Sequence, residues 1–170
     1  MASMSFLRDL GPCEVSWNGS VVGVLNGPVK VKIDDQDAEI KETGQGAAAV
    51  DAVFVGRKFS DIEIPLTRVT ISQLDAIFHG AAAVGNVLTI SNVVGENMYD
   101  SAKALLIKPL INDVASVDAT EWIEIFKTFP TAKIELPYDN ASQRNFMFAF
   151  KVFPSQESGQ KGEFGTFGHA

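Results

Sequence analysis

The chain of 170 residues has one cysteine, two histidines, two tyrosines and two tryptophans. Cys13 alone can form neither an intrachain disulfide nor a cysteine-based zinc cluster. His79 and His169 lie far apart in the sequence, with no spacing of metal ligands between them. No apolar run approaches the roughly 18 residues of a membrane-spanning helix, and the first ten residues lack the apolar centre of a secretion signal. Positive charge is also scarce, with 14 Lys and Arg against 21 Asp and Glu and a net charge of −7. A surface that grips nucleic acid by its phosphates needs clustered Lys and Arg, so this balance argues against one. It is compatible with a surface that nucleic acid passes without sticking. The expectation is a soluble protein made in the cytoplasm, with no membrane segment.

Catalytic motifs are missing too. There is no P-loop, dinucleotide fingerprint, nucleophile elbow or zinc-protease helix, and Gly44-Gln45-Gly46 lacks the third glycine of a phosphate loop. The densest carboxylate cluster is Asp34, Asp35, Asp37 and Glu39, but its spacing is not that of an EF-hand and no glycine marks a turn within it. A solvated acidic face is the better reading. No enzyme, metal or cofactor is expected.

What the chain does have is apolar material, 46% of residues with twelve Phe, enough for a core or a large subunit interface. Residues 28–66 organise the rest. Val29, Val31 and Ile33 alternate with Lys30 and Lys32 on the way out, and Ile62, Ile64 and Leu66 alternate with Asp61 and Glu63 on the way back. That period of two predicts two long strands, each with an apolar and a wet face. The parity slips within Asp34-Asp35-Gln36-Asp37, which predicts a bulge or tight turn there. Between the arms lie Thr43, Gly44, Gln45, Gly46, Ala47, Ala48, Ala49 and Val50, an uncharged stretch suited to docking against a neighbour.

Before the long hairpin, residues 13–17 and 20–25 read as strands around Asn18-Gly19, the strongest short hairpin signal. After it, Thr70 with Gln73 predicts a capping box, and Ile71, Leu74, Ile77 and Phe78 share one helical face. His79 then falls in the last turn, with Gly80 at the left-handed position beyond. Residues 86–94 and 99–110 read as strands and 111–120 as a loop. Residues 121–129 form a strand stopped by Pro130, and 132–136 another stopped by Pro137. The last strand, 145–153, is apolar on both faces and must be covered on both. Residues 1–12 read as an arm, 13–154 as the domain, and 155–170, rich in glycine and polar residues, as a flexible tail. The fold class is mainly β: a β-sandwich or flattened barrel with one flanking α-helix and a long β-hairpin.

The hairpin segment IKETGQGAAAVDAVFVGRKFSDIEIPL resembles the central hairpin of bacteriophage tail tube (major tail) proteins, where a pattern of the type EIKxDxxG…VDxVxxGxxxxVxVPL precedes a short helix. ALLIKPL, WIEIFKTFP and LPYDNASQRNFMFAFKVFP are similar to that family's later strands, so the resemblance covers residues 28–154. Glu42 stands where the family has Asp. The resemblance implies a structural virion protein in the phage tail. Its homohexameric rings stack into a hollow tube that conducts DNA during ejection, in contact with tape measure, baseplate and terminator proteins. It implies that residues 43–50 reach the adjacent ring. It also implies a lumen lined by carboxylates that repel phosphate, with Asp34, Asp35, Asp37, Glu39, Asp61 and Glu63 as candidates. Phe54, Phe59, Phe146, Phe148 and Phe150 are candidates for the subunit interface or, equally, for the core. A tail terminator, head–tail connector or secretion-system tube protein, and a monomeric β-sandwich binding module, are the competing readings.

Overall fold

The computed structural model describes residues 12–41, 51–135 and 145–168. The strands are β1 (Cys13–Trp17), β2 (Ser20–Val21), β3 (Val24–Leu25), β4 (Ile33–Ile40), β5 (Asp51–Phe59) and β6 (Ile62–Arg68). The helix α1 (Ile71–Ile77) follows, then β7 (Ala81–Val84), β8 (Val87–Ile90), β9 (Lys103–Ile111) and β10 (Val114–Ala115). A 3-10 turn (Ala119–Glu121) leads into β11 (Ile123–Glu135), β12 (Asn145–Phe153) and β13 (Gly165–Phe167). The described residues are therefore mainly β with one α-helix, as expected. Its main sheet is a single curled half-barrel rather than two stacked sheets.

The sheet runs β2-β1-β9-β11-β12-β6-β3, with β10 on β9 and β13 on β11. Its register explains the core. Val15 meets Ile107, Trp17 meets Leu105, and Leu105 meets Ile125. Further along, Pro130 meets Phe150, Phe150 meets Ile62, and Phe148 meets Ile64. Partners in an antiparallel ladder point to the same side, so these residues make one continuous apolar face. Val15, Leu105, Ile125, Ile62, Ile64, Leu66 and Phe150 lose all contact with solvent there. Trp17 crosses the files and donates its indole N–H to Thr128 Oγ1 at 3.1 Å, so a polar atom at the core margin is satisfied.

One helix closes this face. Thr70 accepts from the Gln73 backbone N–H at 3.2 Å, and the Gln73 side chain accepts from the Thr70 N–H at 2.9 Å, the reciprocal box read from the sequence. Gly80 follows with φ of 75°. Ile77 is buried, and the Phe78 ring meets Phe148 edge-on at 5.6 Å. Thr70→Ala should cost about 1 kcal/mol in chemical denaturation, because the Gln73 backbone N–H loses the hydroxyl that accepts from it. No loss would mean that packing alone fixes the helix start.

Three sequence expectations are corrected. Pro130 does not stop a strand; β11 runs through it from Ile123 to Glu135. β9 accompanies β11 only as far as Thr128, and β12 takes over from Lys127 onward. Proline is tolerated where a strand lacks a neighbour on one side, and that holds here among the described strands. The strand expected over residues 86–94 is confined to β8, which pairs through the turn at Gly85 with β7. Residues 111–120 contain a hairpin too, with Asn112 and Asp113 both at positive φ between β9 and β10.

The fourth correction concerns residues 155–168, expected to be a flexible tail. They fold back on the sheet. Ser155 is buried, its N–H donates to the Glu163 carbonyl at 2.7 Å, and β13 pairs with β11 at Ile123–Ile125. One of the glycines that suggested mobility, Gly165, is used for close approach. A Cβ on Gly165 would collide with the Glu124 carbonyl and Ile125 Cα.

Candidate assembly surface

The two arms of the long hairpin pair antiparallel from the body out to Ile40 and Asp51. Val24 pairs with Arg68, Lys30 bridges to Glu63, the Ser60 N–H donates to the Lys32 carbonyl, and Ile33 pairs with Phe59. Beyond that level β4 and β5 form a two-stranded sheet of their own. Neither packs extensively on any other element.

The bulge lies level with the acidic run, as the parity slip predicted, but the extra residue is on the opposite strand. Gln36 pairs with Gly56 and Asp37 with Phe54, leaving Val55 over. β4 therefore alternates regularly. Ile33, Asp35, Asp37 and Glu39 share a face, opposite Phe59, Arg57, Phe54 and Ala52. Both faces of the distal hairpin are wet, and both carry apolar side chains. Phe54 is 60% exposed, and Val53, Val55 and Ile40 are exposed as well.

The six acidic candidates are not equivalent. Asp34 lies 3.1 Å from Lys32 Nζ and accepts from Ser60 Oγ. Asp35 is held by Arg57 in a two-point contact, which keeps its carboxyl below the usual range. Glu39 is 3.1 Å from Lys41. Glu63 sits across from Lys30. Asp37, Asp61 and Glu63 are exposed. The hairpin is thus a mixed-charge surface, less acidic than the run of aspartates implies.

Of the five phenylalanines, Phe148 and Phe150 are removed from the interface set, being 1% and 0% exposed within the chain's own core. Phe59 is also buried, stacked on Phe164 with ring centroids 4.7 Å apart. Phe146 is half-buried at the margin of the core. Only Phe54 offers a large exposed ring. Thr43 to Val50, the expected inter-ring loop, lies outside the described residues.

The sequence reading missed a second apolar projection. Residues 80–95 carry no charged side chain, and the β7–β8 hairpin exposes Val84 (80%), Val87 and Ile90. The missing charge was the available signal; the run of alanines hid it.

His79 does sit at the helix end. Its Nε2 is 2.6 Å from Glu96 Oε2, and the other carboxylate oxygen accepts from Ser101 Oγ. The Ser101 hydroxyl, and secondarily His79, hold the Glu96 carboxyl below its ordinary range. The order is wrong for nucleophilic chemistry. Glu96 separates the imidazole from the hydroxyl, whereas a base must touch the hydroxyl it activates. The trio ties the end of α1 to the loop before β9. Among the described residues no group of His, Cys, Asp and Glu could hold a metal ion, and no helix is long and apolar enough to cross a membrane.

No protein-family model matches this chain, and no curated protein matches it. Among solved structures, a chain from the sixfold-symmetrised cryo-EM structure of the anti-feeding prophage baseplate is similar, with 8% sequence identity and a TM-score of 0.47. That similarity covers 86% of this chain and 91% of the other.

Proposed function

We propose that this chain is a structural subunit of a phage tail, a major tail tube protein whose copies form stacked rings around a DNA-conducting lumen. The observation that carries the reading is the distal hairpin. A two-stranded ribbon on its own is at best marginally stable in water. Here it stands off the body with Phe54, Val53, Val55 and Ile40 open to solvent. A second copy would cover those side chains and give the ribbon the packing partner it lacks. The contact joins different surfaces of identical chains, which generates rings or filaments rather than closed pairs. The sequence resemblance to tail tube proteins supports the same reading. The role is structural, and the partners are copies of itself and other tail proteins.

In such a tube Thr43 to Val50 would reach the next ring. The lumen would draw its negative charge from Asp37, Asp61 and Glu63 rather than from the ion-paired Asp34, Asp35 and Glu39. Transit then depends on weak repulsion of phosphate, with no specific binding.

The test is direct. Purified protein is concentrated and viewed by negative-stain electron microscopy, and hollow filaments of stacked rings are expected. Single closed rings would instead favour a terminator or connector. A monomer that stays monomeric at high concentration, with or without preformed tail seeds, would overturn the tube reading in favour of a monomeric binding module.

A further inference from the structure

Both arms of the hairpin interrupt their strand structure at the same level. Residues 31–32 on the outgoing arm and 60–61 on the returning arm lie outside β4, β5 and β6. What spans the break is the Ser60 N–H to Lys32 carbonyl bond at 3.0 Å and the Ser60 hydroxyl bond to Asp34 at 3.3 Å. One hydrogen-bonded rung of backbone is a poor clamp for a lever. A hairpin so joined would swing unless something outside the ladder held it.

The residue placed to hold it is Phe164. Its ring stacks on Phe59, the last residue of β5, at 4.7 Å and 27° between planes. Phe164 is in turn fixed from several directions. Its carbonyl accepts from the Phe126 N–H at 2.9 Å. The segment before it is closed by Gly162 N–H to Ser155 carbonyl at 2.8 Å, and the segment after it by β13 and by Gly168 N–H to Trp122 carbonyl at 2.7 Å. The absence of a side chain at Gly165 lets this segment lie directly on β11. Beside the stack a cleft of about 420 Å³ separates the hairpin from the strap; Ile33, Phe54, Arg57 and Phe167 line it. The base of the hairpin therefore meets the strap at this ring pair, with open space beside it.

We infer that residues 155–168 are a positioning strap for the assembly hairpin. Phe164 is the stop that sets the angle at which β4 and β5 leave the body. The strap acts through Phe59 and does not itself need to touch a neighbouring copy. This rests on the reading that the hairpin makes the contact between copies. It goes beyond that reading in assigning control of the contact to a segment remote in sequence.

The test separates the two claims. Hydrogen exchange is measured on unassembled protein for wild type, Phe164→Ala and Phe164→Tyr, and filament growth is followed for each. Phe164→Ala should speed exchange of residues 51–58 by about tenfold, the scale of one lost aromatic contact, with amides of β6 and β12 unchanged. It should also raise the protein concentration needed for filaments, and Phe164→Tyr, which keeps the ring, should restore both. Unchanged exchange in the hairpin, or an equal rise throughout β6 and β12, overturns the strap. Faster exchange confined to the hairpin, in a protein whose wild type never forms filaments, upholds the strap and defeats the tube. If Phe164→Ala fails to fold, Phe59→Leu removes the other ring of the pair and is read in the same way.

Discussion

Phe148→Ala is expected to lose about 3–5 kcal/mol of folding stability, measured as a shift in the denaturant midpoint at unchanged slope. Three things fail together at that site. Phe148 is 1% exposed, so its ring is fully withdrawn from water. It lies in register between Ala132 on one side and Ile64 on the other, at the centre of the sheet's apolar face. It also receives the edge of Phe78 and so links α1 to the sheet. The cavity cannot collapse easily, because Phe148 sits on β12, which is held between β11 on one side and β6 on the other. Against a total of about 5–15 kcal/mol for a domain of this kind, that loss leaves little margin. A loss under about 1 kcal/mol would mean that the helix does not depend on this contact.

Phe54→Asp should do the opposite. Its ring is mostly in solvent, so the monomer should stay within about 0.5 kcal/mol of wild type, the ordinary range for surface changes. Filament growth should be lost. In an assembled tube the new carboxylate would be buried without a partner, in a protein whose copies already repel through a charge of −7. Sedimentation of assembled material, with the unfolding curve as control, reads both quantities. Filaments at the wild-type concentration would remove this hairpin face from the contact between copies. A destabilised monomer would show instead that the ring is packed against its own chain.

Much of this was legible in the sequence, for identifiable reasons. Asn18-Gly19 and the box of Thr70 and Gln73 are local signals, each satisfied by backbone within a few residues, and both formed as read. The parity slip near Asp37 located the bulge but could not say which strand held the extra residue, since that depends on the partner's register. Pro130 misled because the rule it invokes concerns a strand with neighbours on both sides, and edge status is a property of the sheet. The segment after Phe153 misled because its glycines were read as entropy. Phe164, an aromatic anchor in that glycine frame, was the signal that it returns. Among the surface candidates, composition picked out the phenylalanines without distinguishing Phe148 from Phe54, because burial is decided by which files of the sheet coincide.

The pairing pattern also fixes an order of events in time. β4 with β5, and β7 with β8, are joined by near neighbours in the chain and can form early. The main sheet cannot. β1 must wait for β9, and β6 must wait for β12. Distant pairings of this kind make folding slow, and they keep the apolar face open until the final strands arrive. During synthesis both strands of each projection therefore emerge before the body that supports them, and a ribbon that is marginal alone gains that support late. A chain interrupted before β12 would carry both arms of the hairpin on an unfinished sheet. On the proposal that Phe164 sets the hairpin's angle, only a chain translated past β12 and residues 155–168 would hold its hairpin against that ring.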